Sequence, residues 1–247
     1  MSIESQRDFL GLSRAGRVVA LALQEMKGQL RPGMTTAELD AIGARVLAKH
    51  GARSAPQAVY QFPGNNIICL NDEVVHGIPG NRIIQPGDLV TIDVTVELDG
   101  YIADAAITVP LPPTSPEKWK LCQCAQAAFW QAYQVARSGC PVSVIGKAVE
   151  KEVKRHKFTV IRELTGHGTG RTIHEDPIVA NYFDPRDRTP LTEGLVLTIE
   201  PLISAGTGRV VEGADGWTIR TADGSLSAHY EHTLVITKDR PVLLTAA

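Results

Sequence analysis

Two aspartates interrupt a run of residues suited to a β-hairpin. In LVTIDVTVELDGYIADAAITV, Leu89 to Val109, Asp93 and Asp104 stand where Val or Ile would serve a strand, a setting in which Asp is depleted. Asp99-Gly100 is a hairpin-turn signal. A two-residue turn there pairs Leu98 with Tyr101, Thr95 with Asp104 and Asp93 with Ala106. Side chains alternate along a strand, so the two aspartates become diagonal neighbours on one face, roughly 7–8 Å apart at the backbone. Ile92, Val94 and Val96 take the other face and can bury, while Thr91 and Glu97 join Asp93 and Thr95. Such a face is either solvated or a cation site, because two carboxylates that close repel unless a cation lies between them.

Other ligand-type residues occur in settings that favour the second reading. His167 sits in LTGHGTGR, where Gly166, Gly168 and Gly170 let backbone approach closely. Arg171 occupies the place of the third Gly of a dinucleotide fingerprint, so that reading is set aside. Glu200 lies in LVLTIEPLI and Glu231 in AHYEHTLVIT, both apolar strand-like runs. An unpaired carboxylate in such a run is costly to bury. Four carboxylates and one imidazole form a hard, oxygen-rich donor set, which suits Mn, Fe(II) or Co, is compatible with Zn, and argues against a thiolate site. Four carboxylates exceed what one divalent ion needs, which points to two bridged ions.

These residues must be positioned by elements spread along 247 residues. Residues 4–30 carry Phe9, Leu12, Val19, Leu23 and Met26 at helical spacing. Thr35 and Glu38 form a capping box for a helix to about His50. Residues 54–79 read as strand and turn, and the hairpin follows. After the stiff connector PLPPTSP, Glu117–Arg137 reads as a long helix and Ser143 to about His156 as a shorter one. Strand-like segments follow at Thr159–Arg162, Leu195–Ile203, Trp217–Thr221 and His229–Thr237. Long helix, break, short helix, strands: the order occurs twice. It predicts one α+β domain over 1–247, with helices covering one side of an antiparallel sheet. The two half-domains fall at about 1–110 and 117–247.

Composition excludes several classes. The chain is 43% hydrophobic and 21% charged with a net charge of −2, and no Lys/Arg cluster predicts DNA or an anionic membrane as partner. No apolar run approaches the ~18–20 residues of a spanning helix. Glu4 and Asp8 stand early in an N-terminus without a cleavage signal, so a cytoplasmic protein is expected. Cys69, Cys122, Cys124 and Cys140 form no C-x-x-C pair and are expected as free thiols.

In combination the motifs resemble the pita-bread metallopeptidases, and within them the type I methionine aminopeptidases. NDEVVHGIPGNRIIQPGDLVTIDVTVELDGYIADAA is similar to the family's first block and GHGTGRTIHEDP to its second. GLVLTIEP is similar to its third, and DGWTIRTADGSLSAHYEHTLVIT to its fourth. The resemblance implies metal ligation by Asp93, Asp104, His167, Glu200 and Glu231, and substrate contact by His76 and His174. It implies removal of the initiator methionine from nascent polypeptides with a small second residue, at the ribosome, by a monomer. Water activated by two divalent ions would attack the first peptide bond, with Glu200 as general base.

Trp217 matches the family's pocket tryptophan, and Phe62 and Tyr60 fall where pocket aromatics are expected. Ile173, Ile67 and Val59 stand where Phe, Cys and Tyr would be familiar, so the pocket is expected to be reshaped. Val75 and Ala105 are further departures, and His50, His156, His229 and His232 are assigned to surface or supporting roles. An Xaa-Pro peptidase or creatinase-like hydrolase of the same fold, or a non-catalytic binding protein, are the competing readings. The first relatives usually carry an extra N-terminal domain, and the second tend to lose ligands.

Overall fold

The computed structural model describes residues 1–246. The first half runs α1 (Gln6–Gln29), α2 (Thr36–Lys49), β1 (Arg53–Ser54), α3 (Ala55–Tyr60), β2 (Ile67–Leu70), β3 (Glu73–Val75), β4 (Leu89–Leu98) and β5 (Tyr101–Pro110). The second runs α4 (Pro116–Val135), α5 (Ser143–Arg155), β6 (Thr159–Val160), β7 (Thr165–Gly168), β8 (Glu175–Ala180), β9 (Val196–Ile199) and β10 (Leu202–Ser204). It closes with β11 (Val210–Glu212), β12 (Ile219–Thr221), β13 (Ser227–Val235) and β14 (Val242–Leu243). The twofold recurrence of long helix, short helix and strands is therefore real, and the α+β expectation holds. Among the described residues no helix is long and apolar enough to cross a membrane.

Local chemistry sets these boundaries. Ser5 caps α1 by accepting from the Asp8 N–H, and Thr35 and Glu38 complete the capping box of α2. Asp99 and Gly100 adopt φ of 54° and 80°, the left-handed pair a two-residue hairpin turn requires. The β4–β5 register follows: Leu98 faces Tyr101, Thr95 faces Asp104 and Asp93 faces Ala106.

The main sheet runs β1-β4-β5-β13-β9-β7-β8. The halves join where β5 pairs antiparallel with β13, setting Ala106 opposite Glu231. Helices line one side. Ile92, Val94 and Val96 pack there with Leu12, Val19 and Met26 of α1. On the second half Phe129 and Ala132 of α4 pack with Ile199 and Leu234. The opposite side carries the aspartates. It is not a solvated face, since Thr91, Asp93 and Thr95 are all buried.

Two expectations are corrected. Residues 54–79 are not only strand and turn: Ser54 accepts from the Gln57 N–H, Pro56 occupies the first turn, and a short helix forms. Six residues are too few to print a helical periodicity. The run Leu195–Ile203 is two strands, because Pro201 has no N–H for the ladder. Both pieces keep one register against β13, with Ile199 opposite His232 and Leu202 opposite His229. The register therefore brings Glu200 opposite Glu231.

Candidate metal centre

Three adjacent strands deliver the first carboxylates in a single row. Asp93 on β4 faces Ala106 on β5, and Ala106 faces Glu231 on β13. Directly opposed residues share a face, so both acids project together over the small Ala106 methyl. Asp104, two residues before Ala106, joins the same face. Glu200 arrives beside Glu231 at the break between β9 and β10. His167 enters from β7, which is squeezed between its neighbours. A Cβ on Gly166 would lie 2.7 Å from the Thr198 carbonyl oxygen, and one on Gly168 2.1 Å from that of Asp176. The two glycines flanking His167 are therefore required by close backbone packing.

The acids converge in a buried cluster: Asp93, Asp104, Glu200 and Glu231 are each less than 9% exposed. Donor atoms of Asp104, His167 and Glu231 all lie within 4.8 Å of one another, and so do those of Asp93, His229 and Glu231. The two triads share Glu231. His167 Nε2 lies 3.4 Å from Glu200 Oε1. The Thr198 hydroxyl donates to Glu200 Oε1 at 2.9 Å and accepts from the His167 backbone N–H at 3.2 Å. His167 Nδ1 lies 2.9 Å from the Gly168 carbonyl oxygen. A proton on Nδ1 donating there leaves Nε2 with a free lone pair.

Electrostatics mark the cluster as unfinished. Burial, with the neighbouring Asp104 charge, holds the Asp93 carboxyl well above its ordinary range. Burial also pushes Asp104 up to about 6. Glu200 and Glu231 shift the same way, through burial first and then the Asp104 charge. Burial lowers His167 to about 4 and His229 to about 3, so both imidazoles are neutral near pH 7. Asp93 Oδ1, Asp104 Oδ1, Glu231 Oε1 and both ring nitrogens of His229 are buried without a hydrogen-bond partner among the described residues. Buried polar groups are ordinarily satisfied. Carboxylate oxygens and neutral imidazole nitrogens in this arrangement fit divalent cations as their missing partners.

The cluster lies in a cavity of about 880 Å³. All eleven residues expected at the site line it: His76, Asp93, Asp104, His167, His174, Glu200, Glu231, Tyr60, Phe62, Ile173 and Trp217. His76 follows β3 with φ of 59°, a left-handed conformation uncommon outside glycine. His174 Nδ1 lies 2.8 Å from the Tyr60 hydroxyl, and its ring centroid 4.4 Å from that of His167. Phe62 and Trp217 pack edge to face at 5.4 Å, beside Ile67 and Cys69. One wall is thus charged and its neighbour apolar.

One placement differs from expectation and another is narrowed. Val59 is 53% exposed and does not line the cavity. On α3, Pro56 and Tyr60 share the face turned to the cavity, and Val59 falls off it. Of the surface or supporting roles expected for His229, the surface one is excluded, because the residue is buried inside the cluster. Its signal was present in the sequence, since residues 229 and 231 of one strand share a face. His232 is buried elsewhere, against Thr245 and Tyr230, and the four cysteines are free.

The face of carboxylates and imidazoles where β5 meets β13 has the donors of a metal centre, and the chain belongs to metallopeptidase family M24, whose profile matches residues 11–238. It is a hydrolase of that family. It is 47% identical over 247 residues to methionine aminopeptidase 2 of Bacillus subtilis, covering 99% of both chains. Methionine aminopeptidase 1 of the same organism is 40% identical over 96% of both. The crystal structure of methionine aminopeptidase from Thermotoga maritima superposes with a TM-score of 0.97 at 32% identity, covering 100% of both chains. The pita-bread fold expected from the motifs is the fold observed.

Proposed function

We propose that this chain removes the N-terminal methionine from nascent polypeptides with a small second residue, acting in the cytoplasm as a dinuclear metallo-aminopeptidase. The observation that carries the reading is the pair of buried donor triads sharing Glu231, set against an apolar cavity wall. Asp93, Asp104, His167, Glu200 and Glu231 would hold two divalent ions, with Mn, Fe(II) or Co favoured by the hard donors and Zn compatible. Bound ions supply positive charge that acidifies water and polarises the scissile carbonyl.

The remaining steps belong to the protein. Phe62, Ile67, Ile173 and Trp217 offer an apolar, polarisable surface for a thioether side chain. A cavity of this size with a charged floor selects an unblocked N-terminus, since the free amine is the group that can approach carboxylates and cations together. Glu200, oriented by the Thr198 hydroxyl, takes a proton from the attacking water and returns it to the leaving amine. His174, braced by Tyr60, donates to the developing oxyanion. His76 on the cavity wall hydrogen-bonds the substrate backbone.

Asp93→Ala and Glu231→Ala variants test the assignment. Each should keep its circular dichroism and lose metal-dependent release of methionine from a Met-Ala-Ser peptide. Full turnover by either folded variant removes that residue from the site.

A further inference from the structure

We propose that His229 supplies an imidazole nitrogen to the metal position formed by Asp93 and Glu231, so that both positions of the centre carry a nitrogen ligand. The proposal rests on the metal-centre reading above and adds a ligand to it. His229 is 2% exposed, and neither ring nitrogen has a hydrogen-bond partner among the described residues. Burying a polar ring with nothing to bond is unfavourable, and the same strand shows the ordinary alternative. His232, three residues on, has its Nδ1 2.8 Å from the Thr245 hydroxyl and its Nε2 3.2 Å from that of Tyr230.

The His229 ring is aimed at the acids. Nε2 lies 3.5 Å from Glu231 Oε2 and 3.8 Å from Glu200 Oε2. A first-row divalent ion sits about 2.0–2.2 Å from nitrogen and oxygen ligands, so donors around it stand about 3 to 4.4 Å apart. The separations from His229 fall inside that range, and Asp93 completes the triad within 4.8 Å. A protonated imidazole pairing with the carboxylates is the competing account, but burial of the whole ring opposes a charge there. The second triad already has an imidazole in His167. Adding His229 moves the first position from an all-oxygen set to a mixed one. Nitrogen favours Co and Zn over Mn at a given geometry.

Titration calorimetry and visible absorption of metal-free protein with Co2+ test this against His229→Gln. Wild-type protein should bind two equivalents. The variant should bind one of them at least tenfold more weakly, with an altered d–d band and a smaller loss for Mn2+. Unchanged affinity and spectrum in the variant would overturn the ligand role of His229 while leaving the centre intact. Wild-type protein that binds no Co2+ would overturn both the centre and the ligand. A measurement that needs no variant at position 229 guards against misfolding: Zn2+-loaded wild-type protein with 15N-labelled histidines, read by long-range 1H–15N correlation. Two imidazole nitrogens should move to zinc-bound positions, one of them surviving in His167→Ala. A single shifted nitrogen that disappears with His167 contradicts the proposal.

Discussion

Replacing Thr198 by Val tests whether its hydroxyl holds Glu200, the proposed base, in place. Thr198 is fully buried, and its hydroxyl serves two functional groups at once. It donates to Glu200 Oε1 at 2.9 Å and accepts from the His167 N–H at 3.2 Å. Valine matches the shape, so no cavity term enters. The His167 N–H is left without its acceptor, at a cost of about 1–3 kcal/mol in stability. A hydrogen bond to a charged carboxylate is worth about 1.5–3 kcal/mol. If that interaction orients Glu200 in the transition state, kcat falls about 10- to 100-fold. The hydroxyl also lowers the Glu200 pKa. Its loss therefore raises that pKa in the metal-free protein. The assay is release of methionine across pH, with metal content and denaturant unfolding measured on the same samples, and Thr198→Ser as rescue. A kcat within twofold of wild type, or no rescue by serine, would refute the reasoning.

Further expectations follow from the same geometry. Glu231 belongs to both triads, whereas Asp93 and Asp104 belong to one each; by calorimetry Glu231→Gln should weaken both metal equivalents and Asp104→Asn chiefly one. Once the cluster carboxyls are ionised, removing the Glu231 charge also relieves repulsion, so at alkaline pH metal-free Glu231→Gln should melt higher than wild type, by about 2–4 °C per kcal/mol gained. The pH dependence of metal-free stability has a definite sign. A carboxyl with a raised folded-state pKa, such as Asp104 at about 6, contributes stability that is lost as pH rises through that value. A histidine with a lowered one, such as His167 at about 4, contributes stability that is lost as pH falls through it. Relative to Asp104→Asn, the metal-free melting temperature of wild-type protein should fall as pH rises through about 6, and added Mn2+ should flatten that difference; a difference that moves the other way contradicts this. Phe62→Ala removes a side chain that is 2% exposed, so it should cost about 3–5 kcal/mol in denaturant unfolding and raise KM for Met peptides.

What the sequence made legible was local. Asp99-Gly100 dictated the turn, the turn dictated the register, and the register put Asp93 and Asp104 on one face as expected. Thr35 and Glu38 announced the second helix in the same way. The pairing of β5 with β13 was not legible, because Ala106 and Glu231 meet only when the halves close. That pairing brings His229, expected at the surface or in a supporting role, into the cluster. Helix α3 escaped because one and a half turns carry no periodicity, and Val59 was misplaced with it. The resemblance supplied His76 and His174, which no spacing argument would have joined to residues on other strands.

The central claim is that the buried acids hold metal ions in order to release an N-terminal methionine. Its most direct measurement is free methionine liberated by metal-stripped protein before and after Co2+, Mn2+ or Fe(II) is restored. Paired substrates would be Met-Ala-Ser, its N-acetylated form and an Xaa-Pro peptide. The account predicts no release without metal, rapid release from the free Met-Ala peptide with it, and none from the other two. Metal-independent release, or turnover of the Xaa-Pro peptide comparable to that of Met-Ala-Ser, would contradict it.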